Sequence, residues 1–495
     1  MDRFPHKLIG GGAAFLALVT AMGWGGFSMI IRGQLKQQAK LYNNTDAWRS
    51  WQDSPSPYYL RVYFFHLQNP EDVAKGQKPK LMEKGPYVYM ETRWKEDITY
   101  DKGNDTLLYK QMRKYAFLPE MSDPNKEEDM ITTINIPLVG VTRIAQDCSD
   151  KDKMLKAVGS KTKSEKLTVS HSVRELLLDG YDAKAYEELG NEHNGAMSES
   201  GGDFTVPEFL MDGKYALFEN RNLTDSGEWE VWSGRHNASA YGRIKTWNSL
   251  DMLPWWSKGE PCYFINGTDG TLFTPPMKKS TVLQVYESEY CRSRKYEYEM
   301  PTEVKEVKTV RFRPRKQHMQ SPQNNPDNAC YCPYEDLAKC GKDGIEILSP
   351  CMDGIPMFIS NPHFLHADKE VIESVEGMMP DPEKHETLLD IDPMSGLIFE
   401  GKRRWQVAVE TEPVSQISGL ASAPKAYVPI YWIEESYVAP DKKFSLMRFL
   451  ASLQQGADTV RWGLLLVAVG IVLVGIVVAL TRRGSSKVDR ITLLQ

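Results

Sequence analysis

Two apolar runs, Leu8–Ile31 and Trp462–Leu480, stand at the two ends of the chain, and nothing comparable lies between them. As helices rising ~1.5 Å per residue, each can cross a hydrocarbon core of roughly 30 Å. The pattern predicts a cytosolic N-tail over 1–7, a transmembrane helix over 8–31 and an ectodomain over 32–461. A second transmembrane helix over 462–480 and a cytosolic C-tail over 481–495 complete it. Orientation follows from Arg3 and Lys7 before the first run and Arg482, Arg483, Lys487 and Arg490 after the second, because flanking positive charge stays cytosolic. A cleaved signal peptide is the rival for the first run. It is long for an h-region, and no small-residue cleavage site precedes Arg32.

Between the runs the pattern is short and broken. Tyr58–His66 and Lys84–Met90 read as strands, as do Ile131–Ile136, Lys214–Glu219, Val282–Tyr286 and Val304–Phe312. Met357–Ile359, Gly396–Phe399, Arg404–Val409 and Tyr427–Ile433 continue the series, with Pro and Gly between. Helix-like stretches gather at Asp150–Val158, Ser172–Leu178 and Ala183–Leu189, and Asn191–Asp203 reads as a loop. The expectation is a mostly antiparallel β ectodomain, not a βαβ repeat. Both its ends return to the membrane, so its first and last elements should be neighbours.

Five Asn-X-Ser/Thr sequons, at Asn43, Asn104, Asn222, Asn237 and Asn266, all fall between the runs, as glycosylation of a lumenal or extracellular segment requires. A net charge of −6 gives no reason to expect a nucleic-acid partner. Of seven cysteines, six (Cys262, Cys291, Cys330, Cys332, Cys340 and Cys351) cluster within 262–351. In an oxidising compartment they read as three disulfides, their pairing left open by the sequence. Thiolate coordination of a metal by Cys330, Cys332 and Cys340 is the weaker reading. Cys148 reads as a buried small hydrophobe. Neither tail holds a cysteine, which excludes palmitoylation there.

No catalytic signature is present: no G-x-S-x-G, P-loop or H-E-x-x-H. The expectation is a non-enzyme with no cofactor and no metal site. His363 and His366 read as structural histidines rather than a metal pair. Lys151, Lys153, Lys156, Lys161, Lys163 and Lys166 form either a solvated face, since Asp150, Asp152 and Glu165 are interleaved, or an anion-attracting patch. The stretch Lys305–Lys316 reads as an amphipathic strand. In the C-tail, Asp489 stands four residues before Leu493-Leu494, the spacing of an acidic dileucine signal read by clathrin adaptors. Ala13, Ala17, Ala21 and Gly25 give the first span a small-residue face, suited to packing on the second span or on another protomer of a homo-oligomer.

Several stretches carry a resemblance over nearly the whole chain. They include Tyr63-Phe-Phe, Glu83-Lys-Gly-Pro-Tyr87, Val173-Arg-Glu-Leu-Leu177, Ile265-Asn-Gly-Thr-Asp-Gly270 and Tyr290-Cys-Arg-Ser293. Asn325-Pro-Asp-Asn-Ala-Cys-Tyr-Cys332, Pro362-His-Phe-Leu365 and His385-Glu-Thr-Leu-Leu-Asp-Ile-Asp-Pro393 continue it. The chain resembles the class B scavenger receptors, the group of the fatty-acid translocase, the lysosomal integral membrane protein and the sensory neuron membrane proteins. The resemblance implies an α+β fold, a large antiparallel β-barrel-like ectodomain with an apical helical bundle at about 150–190. It implies an apolar tunnel carrying fatty acid, sterol or phospholipid toward the membrane. It pairs Cys262 with Cys330, Cys291 with Cys351, and Cys332 with Cys340. Lys161 and Lys163 resemble apical lysines that attract anionic ligands, and His171 falls where the lysosomal member has an apical histidine, a group that can titrate at endosomal pH. The implied function is lipid or lipoprotein binding at the apex, lipid passage to the membrane, and endocytic trafficking. A lysosomal sorting receptor for a protein cargo is the alternative. The dileucine and the missing tail cysteines shift the expected location toward endosome and lysosome membranes, with the plasma membrane also expected.

Overall fold

A computed structural model describes residues 4–21, 33, 40–200, 204–218, 222–257 and 261–492, without side chains at 5, 194–200, 261 and 482–492. The longer helices are α1 (Phe4–Ala21), α2 (Asp46–Gln52), α3 (Ile136–Asp147), α4 (Lys151–Lys161), α5 (Lys184–Ser200) and α6 (Asp441–Thr492). The strands begin with β1 (Tyr58–Leu67), β2 (Leu81–Asp101), β3 (Thr106–Phe117), β4 (Met130–Ile134), β5 (Thr168–Ser172) and β6 (Tyr181–Asp182). Then come β7 (Lys214–Tyr215), β8 (Thr224–Trp232), β9 (Ile244–Trp247), β10 (Val282–Glu287), β11 (Arg292–Val304) and β12 (Val307–Pro314). The last are β13 (Ile345–Ile347), β14 (Met357–Ser360), β15 (Leu388–Ile391), β16 (Ile398–Thr411) and β17 (Ala426–Val438).

Thirteen strands form one sheet, ordered β10-β11-β12-β15-β16-β17-β1-β2-β3-β8-β9, with β14 on β16 and β13 on β14. The named pairings are antiparallel. First and last strands are neighbours, Tyr59 opposite Ser436 and Val62 opposite Ile433. The two sheet edges nearly meet. Thr268 bridges both Arg243, beside β9, and Val285 in β10. Ile244 N donates to Gly267 O at 2.8 Å, and Thr268 N donates to Gln284 O at 3.0 Å. Gly267 has φ +101°, and a Cβ there would lie 2.0 Å from Gln284 O, so the seam requires glycine.

The helices α3, α4 and α5 lie in the long connection from β4 to β7. They share an apolar core with the sheet, in which Leu138, Val141, Leu155, Val158 and Leu189 join Val62, Phe64, Tyr89 and Ile433. Three local expectations are corrected. The run Ile131–Ile136 is a strand only to Ile134. Asn135 then caps α3, its side-chain oxygen accepting from Leu138 N at 3.2 Å. Helix α3 is buried on most sides, so it shows little of the polar stripe that marks a helix. The stretch expected as a loop at 191–203 is helical to Ser200. The segment Lys214–Glu219 yields only the two-residue β7.

Helices α1 and α6 form a separate unit with 305–307. The stretch Asp441–Thr481 of α6 is long and apolar enough to cross a membrane, with a mean hydropathy of 3.1 over its best window. Helix α1 is apolar from His6 to Ala21; the rest of the expected first span, 22–31 with Gly25, lies outside the described residues. The two helices pack directly. A Cβ on Gly12 would lie 2.9 Å from Val472 Cγ2, and one on Gly475 would lie 2.8 Å from Ile9 Cγ1. Gly12 and Val19 are buried, whereas Ala13, Ala17 and Ala21 are exposed. The face in contact is thus turned from the expected alanine face.

Candidate functional site

Helix α4 buries Met154, Leu155 and Val158 and leaves Lys151, Lys153 and Lys156 exposed. Lys163 and Lys166 are exposed in the segment that follows. The interleaved Glu165 does not neutralise them by contact, because it turns inward. Its Oε2 accepts from Asn135 Nδ2 at 3.0 Å and from Tyr186 Oη at 3.3 Å. Lys161 differs from its neighbours. Its ammonium pairs with Glu192 and lies 3.8 Å from Glu188, both on α5, so it ties two helices together. The surface cations here are therefore Lys151, Lys153, Lys156, Lys163 and Lys166.

Beside them, Ser172 and Glu175 form a reciprocal cap. Glu175 N donates to Ser172 Oγ at 3.2 Å, and Glu175 Oε2 accepts from Ser172 N at 2.9 Å. This fixes the end of β5, where His171 stacks on Tyr181 at 4.2 Å with 13° between the planes. His171 Nδ1 lies 3.7 Å from Glu175. Burial lowers its pKa below 6.5, with Glu175 opposing. The fold therefore favours the neutral ring more than an unfolded chain does.

A cleft of about 220 Å³ opens between α3 and the disulfide-rich segment. Tyr334, Pro350 and Phe358 give it apolar walls, and Arg143 and Glu410 line it. Arg143 is held by Asp147 at 3.1 Å, by Tyr334 Oη at 3.3 Å and by Glu412 at 3.6 Å. Burial raises the Glu410 pKa, against the field of Arg143. Apolar walls with a few fixed polar groups suit a small amphipathic group.

The structure joins Cys262 to Cys330, Cys291 to Cys351 and Cys332 to Cys340, and Cys148 is buried outside these bonds. His363 and His366 do not converge on one point. His363 Nε2 meets Glu83 at 2.7 Å while its Nδ1 accepts from Met379 N, and His366 meets Glu386 at 2.7 Å. The basic stretch at 305–316 is largely paired, Arg311 with Asp390, Arg313 with Glu299 and Glu386, and Arg315 with Glu297. Among the sequons, Asn43, Asn104, Asn222 and Asn237 are exposed and Asn266 is half-buried. Asp489 falls in α6 with its side chain undescribed, and Leu493 and Leu494 lie outside the described residues.

The sequence pattern did not reveal a charged layer inside the barrel. Arg93 pairs with Glu91 at 2.7 Å and with Glu435. Arg403 reaches Glu435 at 3.5 Å and Glu287 at 3.7 Å, and Arg113 holds Glu289 at 3.0 Å. Arg294 links Glu287 to Glu346. The layer is in register across strands. On one face of β17, Tyr431 and Ile433 belong to the apolar core and Glu435 to the network; on β16, Val407 and Trp405 give way to Arg403; on β2, Tyr87 and Tyr89 give way to Glu91 and Arg93. Three period-2 patterns switching from apolar to charged at matching positions were the available signal.

Residues 10–479 match the model of the CD36 family. Scavenger receptor class B member 1 of Bos taurus is 31% identical over 408 residues, 82% of this chain and 76% of that one. Lysosome membrane protein 2 of Mus musculus is 30% identical over 413 residues, 83% of this chain and 81% of the relative. The Homo sapiens form of that protein gives the same identity and coverage. The match over residues 10–479, with likeness to these relatives along more than four-fifths of the chain, makes the chain a member of the CD36 family, the family of the class B scavenger receptors.

Proposed function

We propose that this membrane receptor binds lipoprotein or another anionic, lipid-bearing ligand on the lysines of the helical segment and passes lipid along an apolar path to the bilayer. Lys151, Lys153, Lys156, Lys163 and Lys166 carry the reading, being exposed and in none of the ion pairs among the described residues. Such a cluster attracts anions and raises their local concentration. In this reading the helical segment is the apex, the chain spans the membrane twice, and both tails are cytosolic. The lipid path follows the apolar core and skirts the charged layer at Arg93, Arg403 and Glu435. The test is uptake of labelled lipid from lipoprotein by cells expressing the full chain or its K153E/K156E/K163E variant. Surface-matched cells should lose most of the uptake with the variant; equal uptake would overturn the lysine assignment.

A second reading is a sorting receptor that carries a protein cargo to lysosomes. It is supported by the spacing of Asp489, Leu493 and Leu494, which fits clathrin adaptors, and by the likeness to lysosome membrane protein 2. Here Leu493→Ala with Leu494→Ala should missort the cargo and redirect the receptor to the cell surface, while lipid transfer in isolated membranes persists.

A further inference from the structure

Two of the five sequons face one another across a single cleft. Asn104, in the turn between β2 and β3, and Asn237, just after β8, both line an opening of about 450 Å³, with Trp232, Ala240 and Arg243 among its walls. Asp105 locks the two segments together. Its carboxylate accepts from Ser233 Oγ, from Tyr100 Oη at 3.3 Å and from His236 N at 2.8 Å, the last across 131 residues of sequence. The cleft is thus a fixed feature of the barrel.

The two asparagines are presented differently. Asn237 uses its side-chain oxygen locally, accepting from Ser239 N at 3.1 Å and Ser239 Oγ at 2.7 Å. That orients the amide and leaves Nδ2, the atom a glycan occupies, out of the hydrogen bonds among the described residues. Asn104 Nδ2 already donates to Asp101 Oδ2 at 2.7 Å. Trp232 is half-buried, and Arg243 is exposed with no ion pair among the described residues. An indole offers a flat apolar face to the C–H face of a pyranose, and a guanidinium offers donors to acetamido and hydroxyl oxygens.

We infer that this cleft seats the chain's own N-linked glycan, the one on Asn237, with its first N-acetylglucosamine against Trp232 and Arg243. Attachment forms the Nδ2–C1 bond; Nδ2 loses a proton and the diphosphate of the lipid-linked oligosaccharide donor departs. The inference rests on the reading that this unit is lumenal or extracellular. The sugar fills an opening between β3, β8 and β9 and shields the β2–β3 turn.

The test is site-resolved glycopeptide mass spectrometry of the full chain made in glycosylating animal cells, after timed treatment with a peptide N-glycosidase. In the native protein the Asn237 glycan should be released about tenfold more slowly than that on Asn43, as a stacked and hydrogen-bonded sugar would be. Denaturation should equalise the rates. Trp232→Ala should free the glycan natively, and Ala240→Trp, which fills the cleft and keeps the indole, should do the same if the first variant misfolds. Equal native rates, or an empty Asn237 beside an occupied Asn43, would overturn the inference alone. A chain bare at every sequon would remove the lumenal reading with it.

Discussion

Single residues in the helical segment divide into those that present charge and those that hold shape. Sequence spacing groups Lys161 with its neighbours, yet it bridges α4 to α5 through Glu188 and Glu192. Its side chain is partly exposed, so K161A should lower stability only slightly and alter ligand binding less than K153E/K156E. His171 shows a related division. Its pKa is lowered in the fold by burial beside Tyr181. The unfolded chain therefore binds the proton more readily, so this residue's effect on stability worsens as pH falls from above 6.5 toward the folded pKa. Ligand binding that weakens on acidification should become less pH-dependent in H171Q, measured as affinity at pH 7 and pH 5. An unchanged profile would leave His171 as a packing residue only. The position was legible through the resemblance; the stacking partner, ten residues on, was not.

Elements are legible where apolar and aromatic residues run on and obscure where charge breaks the run. Tyr58–His66 and Tyr427–Ile433 read as strands and lie in β1 and β17. The strand β3 mixes lysine, arginine and aromatic positions and gives no strand signal in the sequence, because its inner face meets the charged layer through Arg113. Helix α3, wrapped in apolar contacts, lost its stripe for the opposite reason. The charged layer itself is a strong determinant of stability. Glu435 is only 6% exposed, and Arg93 and Arg403 overcome its desolvation to hold its pKa below 4.5. Its contribution is thus present above 4.5 and lost only as pH falls through the lowered folded value, leaving it intact at endosomal pH. E435Q should reduce stability by about 3–5 kcal/mol, because it strands buried guanidinium charge. Urea unfolding of the full chain in detergent at pH 7 and pH 5 should give the same penalty. In the unit that holds α1 and α6, Gly12→Leu should separate the two helices, since a Cβ already meets Val472. A disulfide between cysteines placed at Ile9 and Gly475 should form in the parent sequence and be lost with Gly12→Leu.

For the whole molecule, the decisive feature is the pairing of the first strand with the last. Tyr59 O accepts from Ser436 Oγ, partners 377 residues apart. Synthesis at ~5–20 residues per second brings out β17 roughly 20–75 s after β1. Throughout that interval one edge of β1 has no native neighbour, and an unpaired edge is a template for wrong association. The sheet is therefore an object that cannot be completed until β17, near the end of the chain, has been made. Its early strands must be kept from misassembly by something other than their own fold, and a chain stopped after Thr411 should co-purify with chaperones when expressed in cells, whereas the full chain should not.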